Sequence, residues 1–336
     1  MKLDAVVRTV RGALELYGIE ESATIELVKY RENYVFRVNS ESGDFAVRLH
    51  RAGYRNDAEI RTELDYLHAL ARQGLNVPEV VPTLTGALMC TVTAEDGTNF
   101  QLDVERWLQG THPLGDIGEG LDGTSNLTPE TFRALGELVG ALHTMTAGIG
   151  HLPGFQRGAW NAAGLLGDDA LWGDPLALEE LAEGDKHLLL TAMAQLRRAL
   201  VSMDTSAENY GIIHADLTPE NILVQDGRLI LIDFDDFGEG WHLFDLATIL
   251  FFYLPHPQYW AYRQALIDGY TSVRNPGEGF LDAWDTMLLA RGLTYLGWAA
   301  DRKGDAEATF IAQNVVPVVL TLARNYVSVE HSSSRP

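Results

Sequence analysis

Two neighbouring stretches of the chain decide its fold: residues 212–224 read IIHADLTPENILV, and residues 229–236 read LILIDFDD. The first contains the pattern His-x-Asp-x-x-x-x-Asn. Predicted strands Asn221–Gln225 and Leu229–Asp233 are joined by an Asp-Gly turn, which is typical of a β-hairpin. Because the strands of a hairpin are antiparallel, their outer ends meet, and we expect Asn221 and Asp233 to lie close together.

These polar residues match the needs of one reaction, phosphoryl transfer from ATP. That reaction needs a carboxylate near the attacking hydroxyl and oxygen ligands for Mg²⁺. Asp216 supplies the carboxylate. Asn221 and Asp233 supply amide and carboxylate oxygens, which Mg²⁺ prefers while it keeps some of its waters.

Composition excludes several other classes of function. Of the 336 residues, 25 are Lys or Arg and 47 are Asp or Glu, so the formal net charge is −22. Such a chain lacks the basic surface that nucleic acid and anionic membranes require. The longest apolar runs, Leu246–Leu254 and Val315–Ala323, are much shorter than a membrane span. A single cysteine, Cys90, and the absence of an apolar leader predict a reducing, cytoplasmic location.

The order of predicted elements changes along the chain. After an amphipathic helix within residues 1–20, the first hundred residues read as short strands joined by tight turns, with one main helix. Asn56 or Asp57 caps that helix, which ends at about Gln73, and Glu63 is a carboxylate on its apolar face. Beyond residue 108 the chain is mainly helical. The pattern therefore predicts an α+β protein with an antiparallel sheet.

The motifs resemble those of the aminoglycoside phosphotransferase superfamily, which includes choline kinases, homoserine kinases of the protein-kinase-like type and bacterial stress-response kinases. Five segments carry the resemblance: His214-Ala215-Asp216, Ile232-Asp233-Phe234, Asp245-Leu246-Ala247, the helix end Leu135–His143, and Val104–Gly110.

The resemblance implies a two-lobed protein-kinase-like fold. It implies a nucleotide-binding lobe over residues 1–106 and a catalytic and substrate-binding lobe over residues 107–330. Residues 331–336 are expected to be a disordered tail, as terminal segments often are. ATP is expected between the lobes, with adenine against the backbone near Glu105 and Trp107.

The resemblance also assigns roles to the motif residues. It makes Asp216 the base, or the residue that orients the acceptor hydroxyl, and makes Asn221 and Asp233 the magnesium ligands. His214 and Asp245 are expected to brace the catalytic loop.

The amino-terminal half departs from the family pattern. Arg48 stands where kinases place a lysine for the α- and β-phosphates, with Glu63 as its expected partner and Glu59 as a weaker candidate. An exposed strand arginine and a solvated helix glutamate are the alternatives. The segment Tyr30–Val35 lacks the Gly-x-Gly-x-x-Gly pattern. Asn33 and its neighbours are expected to cover the phosphates, although a plain hairpin turn fits nearly as well.

Several further residues allow two interpretations. Asp235, Asp236 and Glu239 predict either extra contacts to magnesium or a substrate amine, or a solvated acidic loop. Four aromatic residues predict either a cation–π wall for an amine or ordinary core: Trp241, Tyr253, Tyr259 and Trp260. Seven acidic residues between 168 and 185 could attract a cation, but such a run is usually a solvated surface.

The function predicted first is an ATP- and Mg²⁺-dependent kinase that phosphorylates a hydroxyl of a small, amine-bearing molecule. The acceptor would be an amino alcohol, a homoserine-like amino acid or an aminoglycoside. The alternative is a Ser/Thr protein kinase of the bacterial stress-response type. The absence of an Ala-Pro-Glu motif, and Ala215 after His214, favour the small-molecule kinase. A nucleotide-binding pseudokinase is a third possibility, supported only by Arg48 and the missing glycine loop.

Overall fold

The computed structural model describes residues 3–30 and 33–333, with side chains up to residue 328. The helices are α1 (Leu3–Ala13), α2 (Asp57–Arg72), α3 (Ile117–Leu121), α4 (Pro129–Ile149), α5 (Ala162–Leu166), α6 (Glu183–Ser202), α7 (His242–Phe251), α8 (Tyr259–Val273), α9 (Trp284–Ala300), α10 (Ala306–Asn314) and α11 (Val316–Ser333). The strands are β1 (Thr24–Tyr30), β2 (Asn33–Ser40), β3 (Gly43–His50), β4 (Met89–Thr93), β5 (Asn99–Arg106), β6 (His112–Pro113), β7 (Ala159–Trp160), β8 (Tyr210–Ile213), β9 (Ile222–Gln225), β10 (Arg228–Leu231) and β11 (Gly238–Trp241).

The chain divides into two compact units. The first comprises the residues up to His112 together with Ile149–Arg157 and Leu223–Asp235. The second comprises Pro113–Gly148, Gly158–Ile222 and the residues from Asp236 onward. An antiparallel-sheet unit and a mainly helical unit confirm the predicted α+β, kinase-like class.

The first unit is built on a five-stranded antiparallel sheet in the order β1-β2-β3-β5-β4. Helix α1 contributes Val6 and Val10 to a core shared with the sheet residues Phe36, Val47 and Leu102. In β1 the alternation of apolar residues shifts phase, and the pairing with β2 contains an irregularity between Leu27 and Lys29. A bulge of this kind explains the shifted pattern, because one extra residue reverses which side chains face the core.

Helix α2 begins as the sequence predicts. Asn56 accepts hydrogen bonds from the N–H groups of Ala58 and Glu59, and the Glu59 side chain accepts the N–H of Asn56. This is a capping box, which satisfies N–H groups that the first turn leaves unpaired. Glu59 is thus used at the helix start, and Glu63 lies on the buried face.

The β9–β10 hairpin, which the resemblance placed in the large lobe, lies mostly in the first unit. The N–H of Leu231 donates to the carbonyl of Asn76 at 3.0 Å, and the Asn76 amide donates to the carbonyl of Leu229 at 3.2 Å. Asp226 and Gly227 at its turn both have positive φ, as a tight hairpin turn requires. These tertiary hydrogen bonds, which no local pattern encodes, explain the difference.

The second unit is mainly helical and carries a small sheet in the order β7-β11-β8. Helices α4 and α8 approach closely at Gly136, where an added Cβ would lie 2.1 Å from the carbonyl oxygen of Leu266. Glycine is therefore required at this crossing. It lies two turns before His143, which contacts the catalytic loop through Asp245.

The carboxyl-terminal helix α11 extends to Ser333, so residues 331–333 are helical rather than part of the predicted disordered tail. Residues 334–336 lie outside the described residues. Within the described part of the chain, no single helix is both long and apolar enough to cross a membrane. One bent pair, α10 with residues 316–328 of α11, passes that test by length and composition only.

Candidate active site

The predicted catalytic loop, residues 214–221, follows β8 and contains a strained residue near its start. Ala215 has φ +70°, a left-handed conformation that a residue with a Cβ rarely adopts. The Asp245 carboxylate on α7 accepts the N–H of Ala215 at 2.7 Å and the N–H of His214 at 2.9 Å. Asp245 is fully buried. Its role as the residue that braces the catalytic loop stays a prediction.

The carboxylate of Asp216 is held on both oxygens. The side-chain amide nitrogen of Asn221 donates to Oδ2 of Asp216 at 2.8 Å and to the backbone carbonyl oxygen of Asp216 at 2.9 Å. On the other side, the Arg291 guanidinium donates to Oδ1 at 2.5 Å. Because Asn221 uses its nitrogen as a donor, its Oδ1 atom is the one suited to a cation.

Arg291 lies on α9 and was not anticipated from the sequence. It is completely buried, and its guanidinium carbon lies 4.0 Å from the ring centre of Tyr295 and 4.4 Å from that of Trp172. A signal existed: Arg291 is the one basic residue in the mainly apolar segment 284–300, and the one charged residue after Asp285. A buried charge of this kind implies a specific partner.

Behind the loop lies a buried group of histidines. His143 contacts Asp245 at 3.0 Å and the Tyr270 hydroxyl at 3.0 Å, and its ring stacks on His242 at 4.4 Å. Burial lowers the pKa of His242 to about 2, and repulsion from His143 adds to that effect. Burial also holds the pKa of His143 well below its usual range. Both rings are therefore neutral supports of the loop near pH 7.

The first unit buries Arg48 among carboxylates. Arg48 lies 2.7 Å from Glu63, 2.9 Å from Asp103 and 3.4 Å from Glu105. Glu63 was the expected partner of Arg48, whereas Asp103 and Glu105 were not expected; the role of the pair in phosphate binding stays a prediction. His50 also contacts Asp103, at 2.5 Å.

The Glu105 side chain belongs to this cluster. Burial raises its pKa to about 7, against the attraction of Arg48 and with added repulsion from Asp103 and Glu63. The adjacent Trp107 N–H, a candidate donor to adenine, donates to the carbonyl of Asp44 at 3.1 Å.

The metal-site candidate of the first unit is Asp233, which has φ +63°. Lys29 on β1 lies 3.7 Å from its Oδ2 atom. Asn33 begins β2, and its side chain accepts the N–H of Arg51 at 3.4 Å. Residues 31 and 32 of the predicted phosphate loop lie outside the described residues. Asp233 and Asn221 belong to different units, so their sharing of one ion stays a prediction.

The three following acids have separate surroundings. Asp235 is buried in the first unit, where its carboxylate lies 3.8 Å from Arg55 and its carbonyl accepts from Arg55 and Arg157. Asp236 belongs to the second unit, where it accepts from the Trp172 indole at 3.1 Å. Glu239 is half-buried on β11 opposite Ile212.

The remaining predictions concerned four aromatic residues and a run of acidic residues. Trp241, Tyr253 and Tyr259 are buried, which favours the core interpretation, whereas Trp260 is exposed. Of the seven acids between 168 and 185, six are exposed, as a solvated surface would be.

No group of three or more His, Cys, Asp or Glu side chains forms a metal cage in residues 3–30 and 33–328.

Comparisons with known proteins identify the family. Residues 25–284 match the phosphotransferase enzyme family, APH. The amicoumacin kinase of Bacillus subtilis (strain 168) is 25% identical over 242 residues, which are 72% of this chain and 66% of that protein, so the match spans about two thirds of the relative.

Two solved structures are similar over nearly the whole chain. A microcompartment-associated aminopropanol kinase has a TM-score of 0.83 with 28% identity, covering 96% of this chain and 98% of that one. An amicoumacin kinase in complex with AMP-PNP, Ca²⁺ and Ami has a TM-score of 0.74 with 21% identity, covering 96% and 94%. The chain therefore belongs to the phosphotransferase enzyme family and is a phosphotransferase of protein-kinase-like fold, as the sequence motifs predicted.

Proposed function

We propose that the protein transfers the γ-phosphoryl group of ATP, with Mg²⁺, to a hydroxyl of a small amine-bearing molecule. The observation that carries the proposal is the Asp216 carboxylate, held on both oxygens in a strained loop. A carboxylate fixed in this way suits the orientation of a hydroxyl for attack.

In this reaction the acceptor oxygen bonds to the γ-phosphorus while the bond to the β–γ bridging oxygen breaks, and ADP leaves. The Asp216 carboxylate accepts a hydrogen bond from the attacking hydroxyl. During transfer it takes the proton of that hydroxyl, which it keeps or passes to water. A bound Mg²⁺ would neutralise charge that develops on the phosphates. Asn221 and Asp233 are the proposed residues that hold it, because they offer amide and carboxylate oxygens.

The phosphates need cationic or backbone donors. Arg48 keeps its proposed role, but three carboxylates already surround it. Lys29 is a second candidate, since its side chain is partly exposed and lies 3.7 Å from Asp233. Measuring the KM for ATP in Lys29→Met and Arg48→Lys separates these two roles. Asn33 is proposed to cover the phosphates, and the backbone near Glu105 and Trp107 to contact adenine.

An amine-bearing acceptor is proposed for two reasons. The net charge of −22 favours a cationic partner over an anionic one. A similar solved structure is an aminopropanol kinase. Asp236 and Glu239, both in the second unit, are the proposed amine contacts, whereas Asp235 already interacts with two arginines.

The test is a panel of acceptors assayed for ADP release with and without Mg²⁺. The panel contains amino alcohols, homoserine, an aminoglycoside, deaminated analogues of each, and a generic Ser/Thr protein substrate. The proposal expects Mg²⁺-dependent release that requires an amine-bearing alcohol. Release only with the protein substrate would support the protein-kinase alternative. ATP binding without release on any acceptor would support the pseudokinase.

A further inference from the structure

We propose that Arg291 is a positioning residue for Asp216 and sets the rate of phosphoryl transfer. This inference rests on the proposed function. Arg291 donates to two consecutive residues of the catalytic loop, reaching the carbonyl of Ala215 at 3.1 Å and Oδ1 of Asp216 at 2.5 Å. One side chain thereby fixes both the backbone and the carboxylate.

The loop is strained where Arg291 contacts it. Asp245 holds the N–H of Ala215 and Arg291 holds its carbonyl, so the residue with φ +70° is fixed from both sides. Left-handed backbone at a residue with a Cβ persists only where surrounding contacts impose it. Arg291 therefore supplies part of the restraint that places Asp216, together with Asp245 and Asn221.

The surroundings of Arg291 are built for a guanidinium. The rings of Tyr295, Trp172 and Phe244 lie 4.0, 4.4 and 5.6 Å from its central carbon. Cation–π contacts of this kind compensate part of the loss of hydration. Its Nε atom is nevertheless buried without a hydrogen-bond partner among the described residues.

The titratable groups near Asp216 in the second unit come from several elements. Tyr295 lies on α9, Glu220 is in the same loop, His214 accepts the N–H of Asp216, and Asp245 lies on α7. Because several titratable groups surround Asp216, a change in the pH profile would not report on Arg291 alone. The test therefore measures turnover and the mobility of the loop.

The experiment compares Arg291→Ala and Arg291→Lys with the wild type. We expect Arg291→Ala to lower kcat about 10- to 100-fold with the KM for ATP changed less than about twofold, because a misplaced group costs turnover rather than nucleotide binding. Arg291→Lys should be intermediate, since an ammonium reaches one partner and not both. Guanidinium ion at low, non-denaturing concentration should partly restore kcat in Arg291→Ala.

The matched control is Arg263→Ala. Arg263 is also in the second unit, and its guanidinium stacks on Trp284 at 4.4 Å. Guanidinium should not raise its kcat. Wild-type kcat in Arg291→Ala would overturn the proposal. So would an equal loss in both alanine variants without rescue. If Arg291→Ala does not fold, Arg291→Lys provides the test: a lower kcat with an unchanged KM for ATP supports the proposal, and a wild-type kcat overturns it.

A second measurement needs no acceptor. Amide hydrogen exchange of residues 214–217 should become faster in Arg291→Ala and stay unchanged in Arg263→Ala. Unchanged exchange in Arg291→Ala would refute the restraint of the loop. A wild-type protein that transfers phosphate to no acceptor would instead refute the proposed function, so the two failures give different results.

Discussion

The Asp245 carboxylate accepts the backbone N–H of Ala215 at 2.7 Å, at a residue whose φ is +70°. The other oxygen of Asp245 accepts the N–H of His214. One buried side chain on α7 therefore imposes the backbone path that leads into Asp216. Left-handed backbone at such a residue costs about 1–2 kcal/mol, so these hydrogen bonds are required to maintain it.

Asp245→Asn tests this restraint. An amide offers one oxygen instead of two and places an NH₂ donor against a backbone N–H. We expect the free energy of unfolding to fall by about 1–3 kcal/mol and kcat to fall at least about tenfold, measured by urea denaturation and ADP release. Asp268→Asn, an exposed site on α8 in the same unit, is the control and should match the wild type. Wild-type values in Asp245→Asn would contradict the bracing role.

Asp216→Asn removes the proposed proton acceptor while keeping the shape of the side chain. We expect kcat to fall by about 10²- to 10⁴-fold, because an amide cannot receive the proton of the hydroxyl. ATP affinity, measured by calorimetry, should change little. Equal turnover in the variant and the wild type would remove Asp216 from the mechanism.

Asn221→Ala and Asp233→Ala test whether these residues hold one ion. Each single variant should need a higher Mg²⁺ concentration for half-maximal activity. If both residues bind the same ion, the double variant should be less impaired than the product of the single effects, because interacting sites are not additive. Asp169→Ala, at an exposed acid, should keep the wild-type Mg²⁺ curve. An unchanged Mg²⁺ response in Asp233→Ala would exclude that residue as a ligand.

Arg48→Met tests the buried cluster of the first unit. The change leaves the buried Glu63 and Asp103 carboxylates without their cation, so we expect the free energy of unfolding to fall by about 3–5 kcal/mol. Arg8→Met is the control, because Arg8 pairs with Glu95 at the surface and its loss should not be measurable. Urea denaturation compares the two. If both variants lost only a similar small amount of unfolding free energy, the buried ion pairs of Arg48 would not contribute to stability.

His242→Asn tests the pH dependence of stability. The pKa of His242 in the folded protein is lowered to about 2, whereas an unfolded histidine titrates near 6.5. Between those two pH values only the unfolded state binds the proton. The folded state is therefore favoured fully above about pH 6.5, and its free energy of unfolding decreases as the pH falls below that value. The asparagine nitrogen can replace the Nδ1–H that contacts the carbonyl of Glu208.

When the pH is lowered from 7 to 5, the free energy of unfolding of the wild type should therefore fall by about 2 kcal/mol more than that of the variant. Urea denaturation at several pH values measures this difference. His187→Asn, an exposed site on α6, should keep the wild-type slope. Parallel curves for His242→Asn and the wild type would contradict a neutral buried ring.

Much of the fold could be predicted because its signals are local. The Asn56 cap of α2, the Asp226-Gly227 turn and the phase shift at Leu27 each depend on a few consecutive residues. The catalytic motif was equally visible, since Asp216 and Asn221 are five positions apart on one short loop. The structure adds that the two side chains are hydrogen-bonded to each other.

Other features escaped prediction because their partners are distant in the chain. Arg291 contacts Asp216 across 75 positions, and Asp103 contacts Arg48 across 55. Trp172 occurs in an irregular acidic segment and still stacks on Arg291. No periodicity relates such residues, because packing of separate elements brings them together.

The sequence by itself indicated the main strands and helices, the motif that contains Asp216 and Asn221, and the family to which that motif points, because local hydrogen bonding and apolar spacing encode these features. The tertiary structure alone decided which charges are buried. It placed Arg291 against Asp216 and three carboxylates around Arg48. A buried charge is stable only beside a compensating partner, and that partner is chosen by how the elements pack.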